Sequence, residues 1–500
     1  MKRSFLILML FLCGMRVSAQ TSLTKAQMYE DFDQFVDIVQ KYDAQIGVRK
    51  AVTGYDVMEH VLALRPQIDT ISGYGSFLRL MKEATTSLID IHARAVNVMT
   101  PRENIRYIVR EGTLGEIDTI KTFKAAYALL KVKEPMPYGF GNYLIYHDGD
   151  YYFVGDVCLF GESRQMQFQN FKLKKIGGMS VDSFLVQSMP QQINHAIRWD
   201  TERRKYFSTN LVLPREKVTL ENIRTGKDST VDLALYTGFQ FQPRKGTFSK
   251  NDFSKKSVHY FSEEGLLYVR FAQMYGNMQD ELIRGIRKEL KGKTPRKVVL
   301  DVRNNPGGGD DVWMDVLQYL TGDTICMPLK AAIKASPELL AFCQKGDSSQ
   351  WEPYSYLGEN FYALKDGVCL LKPAAKNCGY RGKFYVLQDR GTMSAAHSLS
   401  SLHRYCGRFV TVGEPTGTIA GRGCGPTLFQ LKHSGYTFFM EFDIDFTNVH
   451  QPADAYQDAV DVPFRCTLEE AERDAISCSN RSKSFLRGKD PYFKKVLELE

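Results

Sequence analysis

The chain has 500 residues, 43% hydrophobic and 24% charged, with a formal charge of +8 that is scattered rather than gathered into runs. This is the composition of a folded globular chain of about three domains, and without clustered Lys and Arg it lacks the electrostatic footprint of a nucleic-acid binder. The 10 cysteines, most of them between Cys326 and Cys478, contain no CxxC pair, which argues against a zinc ribbon or finger and leaves disulfides or buried free thiols.

The start of the chain, Met1-Lys-Arg followed by the apolar run Phe5 to Met15 and then Val17-Ser18-Ala19, reads as a signal peptide cleaved after Ala19. The run is shorter than the roughly 20 apolar residues that span a bilayer. Leu12 before Cys13 does not suit bacterial lipidation. An exported protein, periplasmic or secreted and without an integral membrane segment after cleavage, is expected. Residues 20–103 are predicted helical, with Met28, Phe32, Phe35, Ile38 and Val39 on one helix face and Phe77, Leu80 and Met81 on a later one. This region closes on Asp90-Ile-His92, after which Ala95 to Met99 turns strand-like.

Residues 104–250 switch to short strands and turns. His147-Asp-Gly-Asp150 is the centre of a hairpin. Phe171 to Leu185 is a strand, a Gly177-Gly178 turn and a short helix, and it is similar to the corresponding segment of PDZ-like domains. Tyr138-Gly-Phe-Gly-Asn142 would then be the loop that gathers backbone N–H groups around a peptide carboxylate.

A third region, 251–470, is predicted as a strand from Leu266, a helix over Met278 to Leu290 and an apolar strand from Lys297, a βαβ layout. Further strands at Gly382 to Gln388 and Arg408 to Val412 flank a helix from about Ser394 to Tyr405. Residues 471–500 form a charged tail with a closing helix.

Two loops carry chemistry. In Tyr385-Val-Leu-Gln-Asp-Arg-Gly-Thr-Met-Ser394-Ala-Ala-His, an apolar strand meets a Gly turn and a serine heads a helix. Ser394 there is either a plain N-cap or a nucleophile served by the free N–H groups and positive end of the helix. Asp301-Val-Arg-Asn-Asn-Pro-Gly307-Gly308-Gly309 ends a strand in a loop whose backbone can approach a substrate closely. The lysine and Ser/Thr of a nucleotide-binding P-loop are missing.

These two segments, with Val412-Gly-Glu-Pro-Thr-Gly417, resemble in order and spacing the C-terminal processing peptidases. Asp90-Ile-His92 resembles the Asp-Gly-His motif of the family's tricorn-like branch. The resemblance implies a multidomain α/β fold: an N-terminal helical domain, a β-rich PDZ-like module and a ClpP/crotonase-like α/β protease core. It makes Ser394 the nucleophile and assigns the oxyanion hole to the N–H of Gly307 or Gly308 with that of Ala395. The processing branch activates its serine with a lysine after Val-Gly-Glu, yet Pro415 to Gly423 holds none, and Arg422 stays protonated at any working pH. The base is therefore expected to be His92. Its acidic partner is sought among Asp90, Glu441, Asp443, Asp454 and Asp458. His397, where the family usually has glutamate, is expected to pack or cap.

The function implied is serine endopeptidase action on extended or unfolded polypeptides, with no nucleic-acid partner and with homo-oligomerisation left open. This chemistry requires neither metal nor organic cofactor. The rival is a catalytically silent peptide- or apolar-ligand-binding protein on the same core, as in the interphotoreceptor retinoid-binding proteins. An esterase is disfavoured by the absent Gly-x-Ser-x-Gly elbow.

Overall fold

A computed structural model describes residues 22–96, 113–132, 144–153, 156–161, 164–167, 170–214, 216–233, 236–242, 258–344, 348–423, 425–471 and 481–499. The expected leader and the Tyr138–Asn142 loop lie outside them. A Thr24–Gln27 capping box opens α1 (Lys25–Tyr42), which buries Met28, Phe32, Phe35, Ile38 and Val39 at the expected helical spacing. Then come α2 (Ile46–Thr53), α3 (Val57–Leu64) and α4 (Tyr74–Thr86), the last burying Phe77, Leu80 and Met81. A turn through Asp90 to His92 leads into the short strand β1 (Arg94–Ala95), and α5 (Thr119–Lys131) follows.

The hairpin of β2 (Leu144–His147) and β3 (Asp150–Phe153) turns through Asp148 and Gly149, both at positive φ (52° and 94°), the conformation that Asp-Gly supplies. With β4 (Phe171–Ile176), β5 (Lys217–Asn222) and β6 (Asp228–Asp232) it makes an antiparallel sheet in the order β6-β5-β4-β3-β2, and α6 (Val181–Ser188) follows the Gly177-Gly178 turn. A smaller sheet joins Asp156–Gly161, Arg164–Gln167 and Tyr236–Gln242. The N-terminal helices do not close a core of their own. Phe32, Phe77 and Leu80 share one apolar cluster with Phe153 and Leu220 of the sheet and with Phe438 and Met440 of the C-terminal third.

The C-terminal region is a layered α/β unit. The strands that frame the site include β7 (Val258–Phe261), β8 (Leu266–Arg270), β9 (Lys297–Asp301), β10 (Ala331–Lys334), β11 (Phe384–Gln388), β12 (Phe409–Gly413), β13 (Thr427–Gln430), β14 (Thr437–Met440), β15 (Asp443–Asp445) and β16 (Val462–Pro463). The helices packed on them include α7 (Met278–Leu290), α8 (Asp310–Leu320), α9 (Ala395–Ser400), α10 (Lys483–Lys489) and α11 (Pro491–Leu497). The central sheet runs β7-β8-β9-β11-β12-β16 and is parallel from β8 onward. Alternate residues take opposite faces, as the pleat demands. Leu267, Val269, Val298, Leu300 and Val386 pack under α7, α8 and α9, while Tyr268, Val299, Tyr385 and Leu387 pack under α10 and α11. Each such side chain, fully buried, contributes about 1.5–3 kcal/mol.

The charged tail is thus a layer of this unit, in two helices that meet at Asp490. That carboxylate caps α11 by accepting from Phe493 N, and it pairs with Arg303, fully buried at the root of the Gly-rich loop (Nη2 to Oδ2 2.7 Å). Arg303 also holds Asp301 (2.6 Å). Burial alone would raise the Asp301 carboxyl, but the charge of Arg303 holds it well below the usual range. Among the described residues Cys326, Cys343, Cys369, Cys378 and Cys406 are free thiols, and no helix is long and apolar enough to cross a membrane.

Candidate active site

The site forms at the carboxyl ends of the parallel strands. After β11 the chain turns at Ser394, whose φ of 51° and ψ of −128° hold a non-glycine residue in a strained region before α9 begins. Its side chain makes no capping bond to the helix, so the N-cap role is not what the serine performs. Instead its hydroxyl donates to His92 Nε2 at 3.1 Å, and its backbone N–H donates to Thr418 Oγ1 at 3.2 Å.

The Gly-rich loop after β9 lies directly against this turn. A Cβ on Gly307 (φ 93°) would fall 2.6 Å from Ser394 Cβ, and one on Gly308 (φ 141°) 2.0 Å from the Met274 carbonyl, so both closeness and backbone require glycine. The loops are stitched together: Met393 N donates to the Asn305 carbonyl (3.0 Å), and Asp389 Oδ1 accepts from Asn304 N (2.8 Å) and Gly391 N (2.9 Å). One expected oxyanion donor is corrected here. The Gly307 N–H is already spent on Asn305 Oδ1 (2.8 Å), which leaves Gly308 and Ala395, whose N–H groups have no hydrogen-bond acceptor among the described residues.

His92 arrives from the N-terminal region through strand pairing. β1 lies antiparallel to β14 with Arg94 opposite Phe439 and Ala95 opposite Phe438. Continuing that register by two residues sets His92 opposite Glu441, and the imidazole Nδ1–H donates to Glu441 Oε1 at 2.6 Å. Gln45 Nε2 donates to the other carboxylate oxygen at 2.8 Å. Burial pulls the imidazole down, but the charge and hydrogen bond of Glu441, with the charge of Asp90, outweigh it and leave His92 raised. Glu441 is correspondingly lowered, because its bonds to His92 and Gln45 overcome its burial.

Asp90 is not the carboxylate on the imidazole. Its two oxygens accept from the backbone N–H of His92 (2.8 Å) and of Glu441 (2.9 Å), so it clamps the two chain segments that the others stand on. Burial and the neighbouring charge of Glu441 raise it to about 6. The ligand atoms of Asp90, His92 and Glu441 lie within 4.8 Å of one another, a spacing a metal could bridge. Each of the four carboxylate oxygens already accepts a hydrogen bond, and the imidazole meets Ser394 and Glu441 at its two nitrogens.

Asp458, the other expected acidic candidate, belongs elsewhere. It accepts from Ser401 Oγ (2.6 Å) and Arg404 Nη1 (2.6 Å), beside His397 rather than His92. His397 donates from Nε2 to Ser401 Oγ (3.0 Å) and accepts at Nδ1 from Thr416 Oγ1 (2.6 Å). Burial, its largest influence, lowers its pKa. Asp443 lies in β15, and Asp454 accepts from the backbone N–H groups of His450 and Gln451. Sequence reasoning missed Gln45, Asn305 and Thr418, and it missed Arg198, which reaches the Ser394 turn at Met393 from a hairpin of the middle region (Ile197–Asp200 with Lys205–Ser208).

Residues 265–444 match the model of peptidase family S41, that of the C-terminal processing peptidases, and the match marks the chain as a serine-type peptidase. Among solved structures, mature CPAF superposes with a TM-score of 0.54 over 96% of this chain and 97% of its own at 12% identity, a likeness of fold. The photosystem II D1 C-terminal processing protease (TM-score 0.36, 14% identity, 91% of this chain and 98% of its own) and the tricorn protease (0.37, 12%, 95% and 37%) are more distant. A search of curated protein sequences gives no match.

Proposed function

We propose that this protein is an exported endopeptidase that hydrolyses extended or unfolded polypeptides through an acyl-enzyme on Ser394, with His92 as general base and Glu441 orienting it. The observation that carries this reading is the unbroken relay from Ser394 Oγ to His92 Nε2 (3.1 Å) and from His92 Nδ1 to Glu441 (2.6 Å). Ser394 Oγ attacks the scissile carbonyl carbon while its proton passes to Nε2, and the carbonyl oxygen, now an anion, faces the N–H groups of Gly308 and Ala395. The imidazolium, stabilised by Glu441, protonates the departing amine. Water then repeats the sequence, giving its proton to His92, attacking the ester and restoring Ser394.

The Ser–His arrangement and the lysine-free segment Pro415 to Gly423 support an assignment to the tricorn-like branch. The leader ending at Ala19 directs it to the periplasm or cell exterior. The region 104–250 is a PDZ-like module that selects polypeptides by their ends, following a helical region from 20 to 103 and preceding the core from 251 to 470. Fluorophosphonate labelling of the mature protein near pH 8 tests the reading. Wild type is labelled and both Ser394→Ala and His92→Ala are not; a folded wild type that takes no label favours the silent binding protein.

A further inference from the structure

A small pocket opens beside the relay, and Glu441, Asp90, Arg49, Arg198 and the Thr416–Ile419 loop are among its lining. Its volume of about 40 Å³ has space for about three water-sized groups, close to the three heavy atoms of a carboxylate.

Arg198 is 6% exposed. Its guanidinium reaches only neutral atoms: Nη1 donates to the Ile197 carbonyl (2.8 Å), Nε to the Arg390 carbonyl (3.2 Å), and Nη2 lies 2.7 Å from Met393 Sδ, next to the nucleophile. No carboxylate among the described residues lies within ion-pair distance of it. Other buried guanidiniums are treated differently, Arg303 by two aspartates and Arg404 by Asp458. A buried cation without a counterion is costly to hold, and the fold makes room for this one deliberately. A Cβ on Gly417, the glycine that ends Val412-Gly-Glu-Pro-Thr-Gly417, would fall 2.0 Å from Arg198 Nε.

A second buried guanidinium, this one beside a carboxylate, keeps donors to spare. Arg49, 1% exposed, has Nε and Nη1 without a hydrogen-bond partner, its nearest carboxylate being Asp43 at 3.9 Å. The two acids that line the pocket do not neutralise Arg198. Asp90 is bound by two backbone N–H groups, and Glu441 by His92 and Gln45. His195, three residues before Arg198 in the chain, is held below its ordinary value, by burial first and then by the charges of Arg198 and Arg94.

We infer that this pocket is a substrate subsite in which Arg198, assisted by the free donors of Arg49, binds a carboxylate of the polypeptide close to the scissile bond. The inference rests on the serine-peptidase reading of the same site. Arg198 is thus a specificity residue, and the carboxylate it receives is either an Asp or Glu side chain or the chain's own C-terminus, one group having two sources.

The test uses the mature protein and internally quenched peptides carrying Glu or Gln at each position flanking the cleaved bond, each made with a free or an amidated C-terminus. Wild type is expected to favour Glu over Gln at one position, or free acid over amide, by about 10-fold or more in kcat/KM, the scale of a charge-assisted bond in a buried site. The arm that responds identifies the source. In Arg198→Gln the same ratio falls to about one, whatever happens to the absolute rate. A wild-type ratio near one in both arms overturns the inference without recourse to any variant, and so does a ratio that survives in Arg198→Gln. Fluorophosphonate labelling of the same wild-type sample separates the two levels: a labelled enzyme with no carboxylate preference sinks only the subsite, while an unlabelled one sinks the acyl-enzyme reading and the subsite with it.

Discussion

Two histidines of this protein each sit with a serine and an acid, and only one of these two sets has the order of bonds that the proposed acyl-enzyme mechanism needs. Around His92 the order is serine, imidazole, carboxylate: the hydroxyl meets Nε2, the acid meets Nδ1, and Ser394 stands half-buried at a strained turn. Around His397 the acid takes the serine instead, because the fully buried Ser401 donates to Asp458, and a threonine occupies the other ring nitrogen. The electrostatics diverge accordingly, His92 raised by its carboxylate and His397 lowered by burial. Residue types within reach of one another do not make a base; the sequence of bonds does.

Exchanging the serines breaks the comparison most sharply. Ser394→Ala is expected to lower kcat/KM by roughly 10⁴- to 10⁶-fold. Ser401→Ala, measured beside it, retains most of the activity and loses about 1–3 kcal/mol of stability in denaturant titration, since His397 and Asp458 forfeit a buried partner. The acids come next. Glu441→Gln costs about 10²- to 10⁴-fold in kcat/KM with the fold intact, whereas Asp458→Asn registers in stability, by about 3–5 kcal/mol, because Arg404 loses its buried counterion. Comparable activity losses in both acid variants would erase the distinction drawn here. The smallest effect is that of His397→Gln, which is expected to destabilise by about 1–2 kcal/mol and to leave the midpoint of the pH–rate profile where it is in wild type.

The reason some of this was legible in the sequence and some was not is physical. Ser394, Ala395 and the glycines of 307–309 sit in local strand-turn-helix patterns, and local patterns survive in one dimension. His92 was reached through resemblance, since nothing within its own neighbourhood reveals a partner 302 positions away. Glu441 could not be told from Asp443, Asp454 or Asp458 until the pairing of β1 with β14 supplied a register, although a lone charge in Phe438-Phe-Met-Glu-Phe was a signal of a buried role. Gly307 was credited with an oxyanion bond that the Asn305 side chain takes, a detail only geometry can give. The shared core of the N-terminal helices, the middle sheet and β14 was equally invisible, because hydrophobic periodicity reports that a face is buried and not against what.

The pH dependence of labelling at Ser394 tests the central claim most directly. His92 must be neutral to accept the proton, so the second-order rate of fluorophosphonate labelling should be low in acid and rise to a plateau, with a midpoint above 6.5 because Glu441 raises the imidazole. Glu441→Gln removes that influence and leaves burial opposed only by the charge of Asp90, so its midpoint should move down while its plateau falls. A midpoint that stays in place in Glu441→Gln, or that moves instead with His397→Gln, would contradict the assignment of His92 and Glu441 as the pair that activates Ser394.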